Sequence, residues 1–213
     1  MVAPMTGIIA VAAIAFVAWF AAGTIWNVRR GHLVLRWMQD GLPLLGERTT
    51  VRWLGSSAIE MVIRDGKAPF STLTLVIFLE PRDVPWMWAL GRSRGRRDTL
   101  IIRGTLRALP RSELEALDPS SWSGREAIGR VPRQWHIREA DAERVVVHCP
   151  GADAPALVDR LLATARHAGM DVARLSLRRA EPHFQIHVAL PDQRQSARGF
   201  FEAVHTIAAH ALD

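Results

Sequence analysis

Apolar side chains fill the opening of the chain almost without interruption: residues 1–28 carry no charged side chain, and Arg29 and Arg30 then follow. A helix needs about 20 mostly apolar residues to cross a hydrocarbon core roughly 30 Å thick. Residues 5–25, in which Thr6 and Thr24 are the polar exceptions, supply them. No second run of that length follows, so the pattern predicts one crossing, with residues 1–28 as a transmembrane anchor. Trp19 and Trp26 suit the lipid–water boundary, and Trp26 beside Asn27 and Arg29 reads as its interfacial end. The rival is a cleaved secretory signal ending at Ala21-Ala22-Gly23. Residues 1–6 hold no basic leader, however, and the apolar run exceeds an ordinary signal core. Basic residues flanking a span stay on the cytoplasmic side, and Arg29, Arg30 and Arg36 follow this one. The expected protein is single-pass in the cell (inner) membrane, with its C-terminal portion cytoplasmic.

Beyond the anchor the periodicity changes. Leu33, Val34, Trp37, Met38, Gly41 and Leu42 recur at helical spacing, which predicts a short amphipathic helix over residues 32–41, ended by Gly41 and Pro43. Residues 50–54, 58–64, 72–79 and 99–108 are rich in Val, Ile, Leu, Thr and Phe and are separated by turn signals such as Gly55-Ser56-Ser57 and Asp65-Gly66. Residues 29–110 therefore read as a juxtamembrane helix followed by an antiparallel β meander. Residues 111–143 read as a connecting segment, where Ser112 with Glu115 and Ser123 with Glu126 match capping-box spacing and predict two short helices. Residues 144–213 form a clearer unit. A strand over 144–149 precedes a helix from Asp153 to His167 that ends at Gly169. A hairpin of 171–179 and 183–190 turns across Ala180-Glu181-Pro182. A last helix from Asp192 then keeps Ala197, Phe200, Phe201, Val204, Ile207, Ala208 and Ala211 in helical period. The order is βαββα, so the expected fold class is α+β, with a ferredoxin-like C-terminal half.

Composition adds less. The formal net charge of +6 falls wholly after residue 28, and a basic body at an inner membrane face suits anionic lipid, an acidic partner or nucleic acid. Yet every basic residue except Lys67 is arginine and tyrosine is absent, a bias that GC-rich coding produces by itself. The single cysteine, Cys149, excludes an internal disulfide and fits a reducing compartment.

Two constellations carry chemistry. Period-2 geometry places Arg144, Val146 and His148 on one strand face, Arg174, Ser176 and Arg178 on a second, and His183, Gln185 and His187 on a third. Their neighbours Val145, Val147, Leu175, Leu177, Phe184, Ile186 and Val188 would then face the helices. If the polar sets share a side, Arg144, His148, Arg174, Arg178, His183 and His187 form a surface for a phosphate, a carboxylate or an acidic partner. The bland alternative is the wet face of a half-buried sheet, or a face covered by the other half of the chain. A metal site of His183 and His187 with His148 or Cys149 is disfavoured, because i and i+4 on a strand lie about 13 Å apart.

The second constellation is the aromatic and basic loop expected between two strands: Pro85, Trp86, Met87, Trp88 and Leu90, then Arg92, Arg94, Arg96 and Arg97. Indoles and arginines together suit contact with anionic headgroups; the alternative is that Trp86 and Trp88 plug the core. Gly91-Arg92-Ser93-Arg94-Gly95 matches G-x-S-x-G, but the strand-to-helix elbow of a parallel sheet is not expected there. Walker A, G-x-G-x-x-G, C-x-x-C and H-E-x-x-H strings are missing, and no strand shows the aromatic pattern of RNA readers, so nucleic acid is disfavoured. Glu60, Glu80 and Asp83 have no partner by spacing, although Glu80-Pro81-Arg82-Asp83 could be a loop held by its own ion pair. No cofactor is expected. The leading expectation is a non-catalytic membrane-anchored protein that docks on anionic lipid or a membrane protein partner. The alternative is a tethered enzyme on a phosphorylated or lipidic substrate, with Arg174, Arg178, His183 and His187 as anion binders or acid–base groups.

Overall fold

A computed structural model describes residues 2–139, 146–149 and 155–212. Its longest element is α1, Val2–Gln39, a helix of 38 residues that extends roughly 57 Å at 1.5 Å per residue. The separate amphipathic helix expected over 32–41 is instead the continuation of α1. No proline interrupts that stretch, and Gly31 is packed against Trp53 and Ile59. Residues 5–22 are exposed, whereas Gly23, Asn27, Gly31, Val34, Trp37 and Met38 are buried at intervals of three and four, the spacing of one helical stripe. The N-terminal part of α1 therefore stands free and its C-terminal part lies on the body. α1 is the one helix among the described residues that is long and apolar enough to cross a membrane.

After a 3-10 turn at Leu42–Leu44, β1 (Thr49–Trp53), β2 (Ala58–Ile63), β3 (Phe70–Phe78) and β4 (Thr99–Leu106) form the expected meander, with α2 (Pro85–Ser93) between β3 and β4. There follow β5 (Leu114–Leu117), α3 (Trp122–Ile128), β6 (His136–Glu139), β7 (Val146–Cys149), α4 (Pro155–His167), β8 (Val172–Leu177), β9 (Phe184–Ala189) and α5 (Ala197–His210). All the strands join one nine-stranded sheet in the order β1-β2-β3-β4-β9-β8-β5-β7-β6, and each neighbouring pair is antiparallel. The protein is thus α+β, with a long apolar N-terminal helix and a large antiparallel sheet.

Several local expectations need correction. A ferredoxin-like unit would interleave β9 between β7 and β8; here β5 holds that place and β9 pairs outward with β4. β5 comes from the segment read as a connector. Its four residues are all buried, and the Glu115 carboxylate faces Arg174 and Arg178 rather than closing a helical cap on Ser112. The second short helix exists as α3, but its cap is Ser121, whose Oγ accepts from Gly124 N at 2.9 Å. Helix α5 starts behind Ser196 rather than Asp192, because Ser196 Oγ accepts from Gly199 N while Asp192 caps a turn at Arg194 N. The expected cap Asp153, with Arg144 and Val145, lies outside the described residues.

The core lies on one side of the sheet, under α4, α5 and the C-terminal half of α1. Leu75, Ile77, Ile102, Leu175, Leu177, Phe184, Ile186 and Val188 meet Val34, Met38, Leu161, Phe201 and Val204 there. Each such side chain contributes about 1.5–3 kcal/mol on burial, so Val34 and Met38 fasten α1 to the core and Trp37 fastens it to α5 through Phe200 and Phe201. The alternation read from β8 and β9 holds, and their polar positions face the opposite side.

Candidate functional site

The stretch read as a loop at residues 85–90 is helical. Pro85 occupies its first turn, where a missing N–H costs nothing. The helix separates the two aromatic residues singled out above. Trp86 is 61% exposed, with Met87 and Leu90 exposed beside it, and its ring stacks on Phe16 of α1 at 5.6 Å. Trp88 turns the other way and donates from Nε1 to Glu80 at 2.6 Å. Arg92 pairs with Glu80 at 3.2 Å and lies over the Trp88 ring. Arg94 and Arg97 are exposed, while half-buried Arg96 lies over the Trp122 ring. Ser93 donates to the Leu90 carbonyl in the last helical turn.

Beneath α2, a polar knot ties the body to α1. Arg82 donates to both oxygens of Asp98 at 3.1 Å, its carbonyl accepts from Trp19 Nε1 at 2.9 Å, and its guanidinium reaches Asn27 Oδ1 at 3.3 Å. The expected Glu80–Arg82 pair is present at 3.8 Å. Asn27, read as an interfacial residue, is fully buried and donates to the Glu80 carbonyl. The close approach requires Gly23, where a Cβ would lie 2.6 Å from Asp83 Cα.

On the sheet face opposite the core, α3 roofs a cavity of about 530 Å³, within the range of ligand sites. Strands supply its floor: Thr99, Ile101 and Arg103 from β4, Gln185, His187 and Ala189 from β9, and Ala173 and Arg174 from β8. The register sets Ile101 and Arg174 on either side of His187. Gly95, Arg96 and Arg97 close the end nearest α2, and Phe78 and Trp122 add apolar surface.

His187 is 6% exposed. Burial, then the charges of Arg174 and Arg103, depress its pKa from 6.5 to about 3, so the imidazole is neutral at ordinary pH. Its Nε2 meets the side-chain nitrogen of Gln185, and its Nδ1 is buried without a hydrogen-bond partner among the described residues. With the Gln185 amide assigned as donor, Nε2 accepts and the proton sits on Nδ1. An unsatisfied buried donor costs about 1–3 kcal/mol.

The other polar positions have structural duties. Glu115, 1% exposed, accepts from Arg174 Nε and Nη2 at 3.0 and 2.9 Å, from Ser176 at 2.8 Å and from Arg178 at 2.9 Å. Burial works to raise its pKa, but the Arg174 hydrogen bond and charge, with Ser176 and Arg178, outweigh it and leave the carboxyl lowered. Arg178 also lies over the Trp135 ring at 4.2 Å. His183 accepts at Nδ1 from Leu106 N at 3.1 Å. His148 is in β7 with its side chain outside the described residues, as is Arg144 altogether. The sheet thus brings Arg174, Arg178 and His187 to one face, but places among them Glu115, which the sequence reads as a helix-capping residue. Arg103 was missed too; its alternation with Ile101 on β4 was the available signal. Among the described residues no cluster of three or more His, Cys, Asp or Glu is placed to hold a metal.

In comparison with known proteins, no family model matches the chain and no curated protein matches it in sequence.

Proposed function

We propose that this is a single-span membrane-anchored protein whose cytoplasmic body is seated against an anionic leaflet by α2, in a binding rather than catalytic role. The observation that carries this reading is the stack of exposed Trp86 on Phe16, which holds the apolar face of α2 beside the free segment of α1. Residues 5–22, the exposed stretch, cover roughly 27 Å at 1.5 Å per residue, close to a hydrocarbon thickness. The boundary then falls near Trp19 and Phe20 rather than Trp26, at the level of α2. Arg29, Arg30 and Arg36 on the body side favour a cytoplasmic body.

Electrostatics supports the same seating at modest strength. Arg92 is engaged by Glu80 and Arg96 by Trp122, which leaves Arg94 and Arg97 for the lipid surface. At about 1 kcal/mol per basic residue they contribute roughly 2 kcal/mol, so the apolar face and the anchor dominate. A Met87→Cys variant in a Cys149→Ala background, labelled with a polarity-sensitive dye and reconstituted into anionic vesicles, tests the seating. Blue-shifted emission quenched by spin-labelled lipid is expected. Quenching by aqueous iodide alone would reject it.

A further inference from the structure

We propose that the cavity under α3 binds a phosphate-headed amphiphile, its acidic end against Arg103 and His187 and its apolar end over Ile101, Phe78 and Trp122 toward α2. Arg103 lines the cavity, sits across the β4–β9 ladder from Gln185, and makes no hydrogen bond or ion pair among the described residues. Arg96 and Arg97 line the same space, and their guanidinium groups make no ion pair among the described residues. Among the described residues none of the lining acids forms an ion pair with these three arginines. Asp118 accepts from Ser120 N and Oγ, Glu126 is paired with Arg130 at 2.7 Å, and Asp171 is exposed at the rim. Arg174 is already held by Glu115.

Arg103, at the inner end, offers the charge of about −1.5 to −2 on a phosphate monoester a cation that no carboxylate pairs with among the described residues, while Arg96 and Arg97 stand at the mouth that an anionic head must pass. The buried His187 Nδ1 supplies a donor with no acceptor among the described residues, and a phosphate oxygen would satisfy it. The apolar part of the ligand follows from the axis of the cavity. Along β4, Thr99 lies at the end nearest α2 and Arg103 four residues further in, about 13 Å. Ile101 lies between them, and Phe78 pairs with Thr99 at the mouth. A ligand whose head reaches Arg103 and His187 therefore emerges where Leu79 to Arg82 lead from Phe78 to the α1 contact at Trp19.

The seating of α2 matters to this inference only as the source of the amphiphile. Calorimetric titration of the full chain in neutral maltoside micelles uses dodecyl phosphate as probe, with dodecyltrimethylammonium and inorganic phosphate as comparisons. Saturable one-to-one binding of dodecyl phosphate is expected, at least tenfold tighter than either comparison. Arg103→Ala, an exposed position whose loss leaves the core intact, and His187→Gln should each weaken it about tenfold or more; Arg198→Ala on the outer face of α5 should not. No saturable binding, or both cavity variants within twofold of wild type, would overturn the site. Inorganic phosphate binding as tightly as dodecyl phosphate would overturn the amphiphile. Failed calorimetry with lipid quenching intact at the Met87 dye sinks the cavity proposal alone, and the converse pattern sinks the seating alone.

Discussion

Acid should unfold this protein first through His187, and the size of the effect follows from its surroundings. The group titrates at about 3 in the folded chain against an ordinary 6.5, so between those values the unfolded chain binds the extra proton. Stability rises with pH wherever the unfolded state holds more protons. The contribution is therefore complete above pH 6.5 and is lost as pH falls from 6.5 toward 3. At 1.36 kcal/mol per unit, lowering the pH to 5 costs about 2 kcal/mol. For a chain of this size that shifts Tm by roughly 4–8 °C. Glu115 does not confuse the measurement. Its lowered pKa gives stability that is present above the ordinary carboxylate value of 4.5 and lost only below it, as pH falls through the folded pKa. Near-UV circular dichroism melts of the detergent-solubilised chain at pH 7 and pH 5 should show wild type losing about 4–8 °C more than His187→Gln. Parallel losses in the two proteins, or a directly observed His187 titration near 6.5, would refute the assignment of a buried neutral imidazole between two arginines.

Glu115→Ala leaves Arg174 and Arg178, with side chains 14% and 22% exposed, facing each other without the carboxylate; a loss of about 3–5 kcal/mol is expected in chemical denaturation, and a loss under 1 kcal/mol would count against the triad. Gly23→Leu drives a side chain into the Arg82–Asp83 backbone and should raise protease cleavage in the 80–98 segment, while Gly7→Leu, with open space around it, should leave cleavage unchanged. Asn27→Leu removes one of the hydrogen bonds made by the Glu80 carbonyl and one made by Arg82 and should cost about 0.5–1.5 kcal/mol for each bond, read by the same denaturation. Resistance to alkaline carbonate extraction tests the proposed anchor directly, and release into the supernatant would remove it.

Much of the fold was legible because it rests on local periodicity. The meander, the β8–β9 hairpin and the inward faces of α4 and α5 all follow from alternation or helical spacing, and Gly169 ends α4 with a φ of +66°. What failed were places where a local signal competed with a distant partner. The Ser112–Glu115 spacing satisfies a helical cap on paper, but Leu114 and Ala116 have strands on both sides and a core beneath them. Cross-strand pairing with β7 and β8 outweighs a cap that is typically worth about 1 kcal/mol. The break expected between the anchor at residues 1–28 and the helix over 32–41 failed for the opposite reason. A glycine in mid-helix costs about 1 kcal/mol, and the packing of Trp53 and Ile59 on Gly31 exceeds that.

The candidate site shows the same division. Alternation puts Arg174 and Arg178 on one face of their strand and His187 on one face of the next, and the sheet joins those faces, but the sign of the joint face depends on Glu115, which lies 59 and 63 residues from the two arginines it holds. No window of sequence reveals a partner at that distance. Its consequence is a redistribution of charge. A face that reads as uniformly cationic is compensated around β5 and β8, where a bidentate carboxylate engages both guanidinium groups. The unanswered charge moves along the sheet to Arg103, Arg96 and Arg97, from the middle of β4 toward α2. Because α2 stacks on α1 and Arg82 is tied to Trp19 and Asn27, the mouth with Arg96 and Arg97 lies nearest the apolar helix and Arg103 lies further in. The polar knot thus fixes which ligands the cavity meets first, and a molecule with both an acidic and an apolar end fits both features at once.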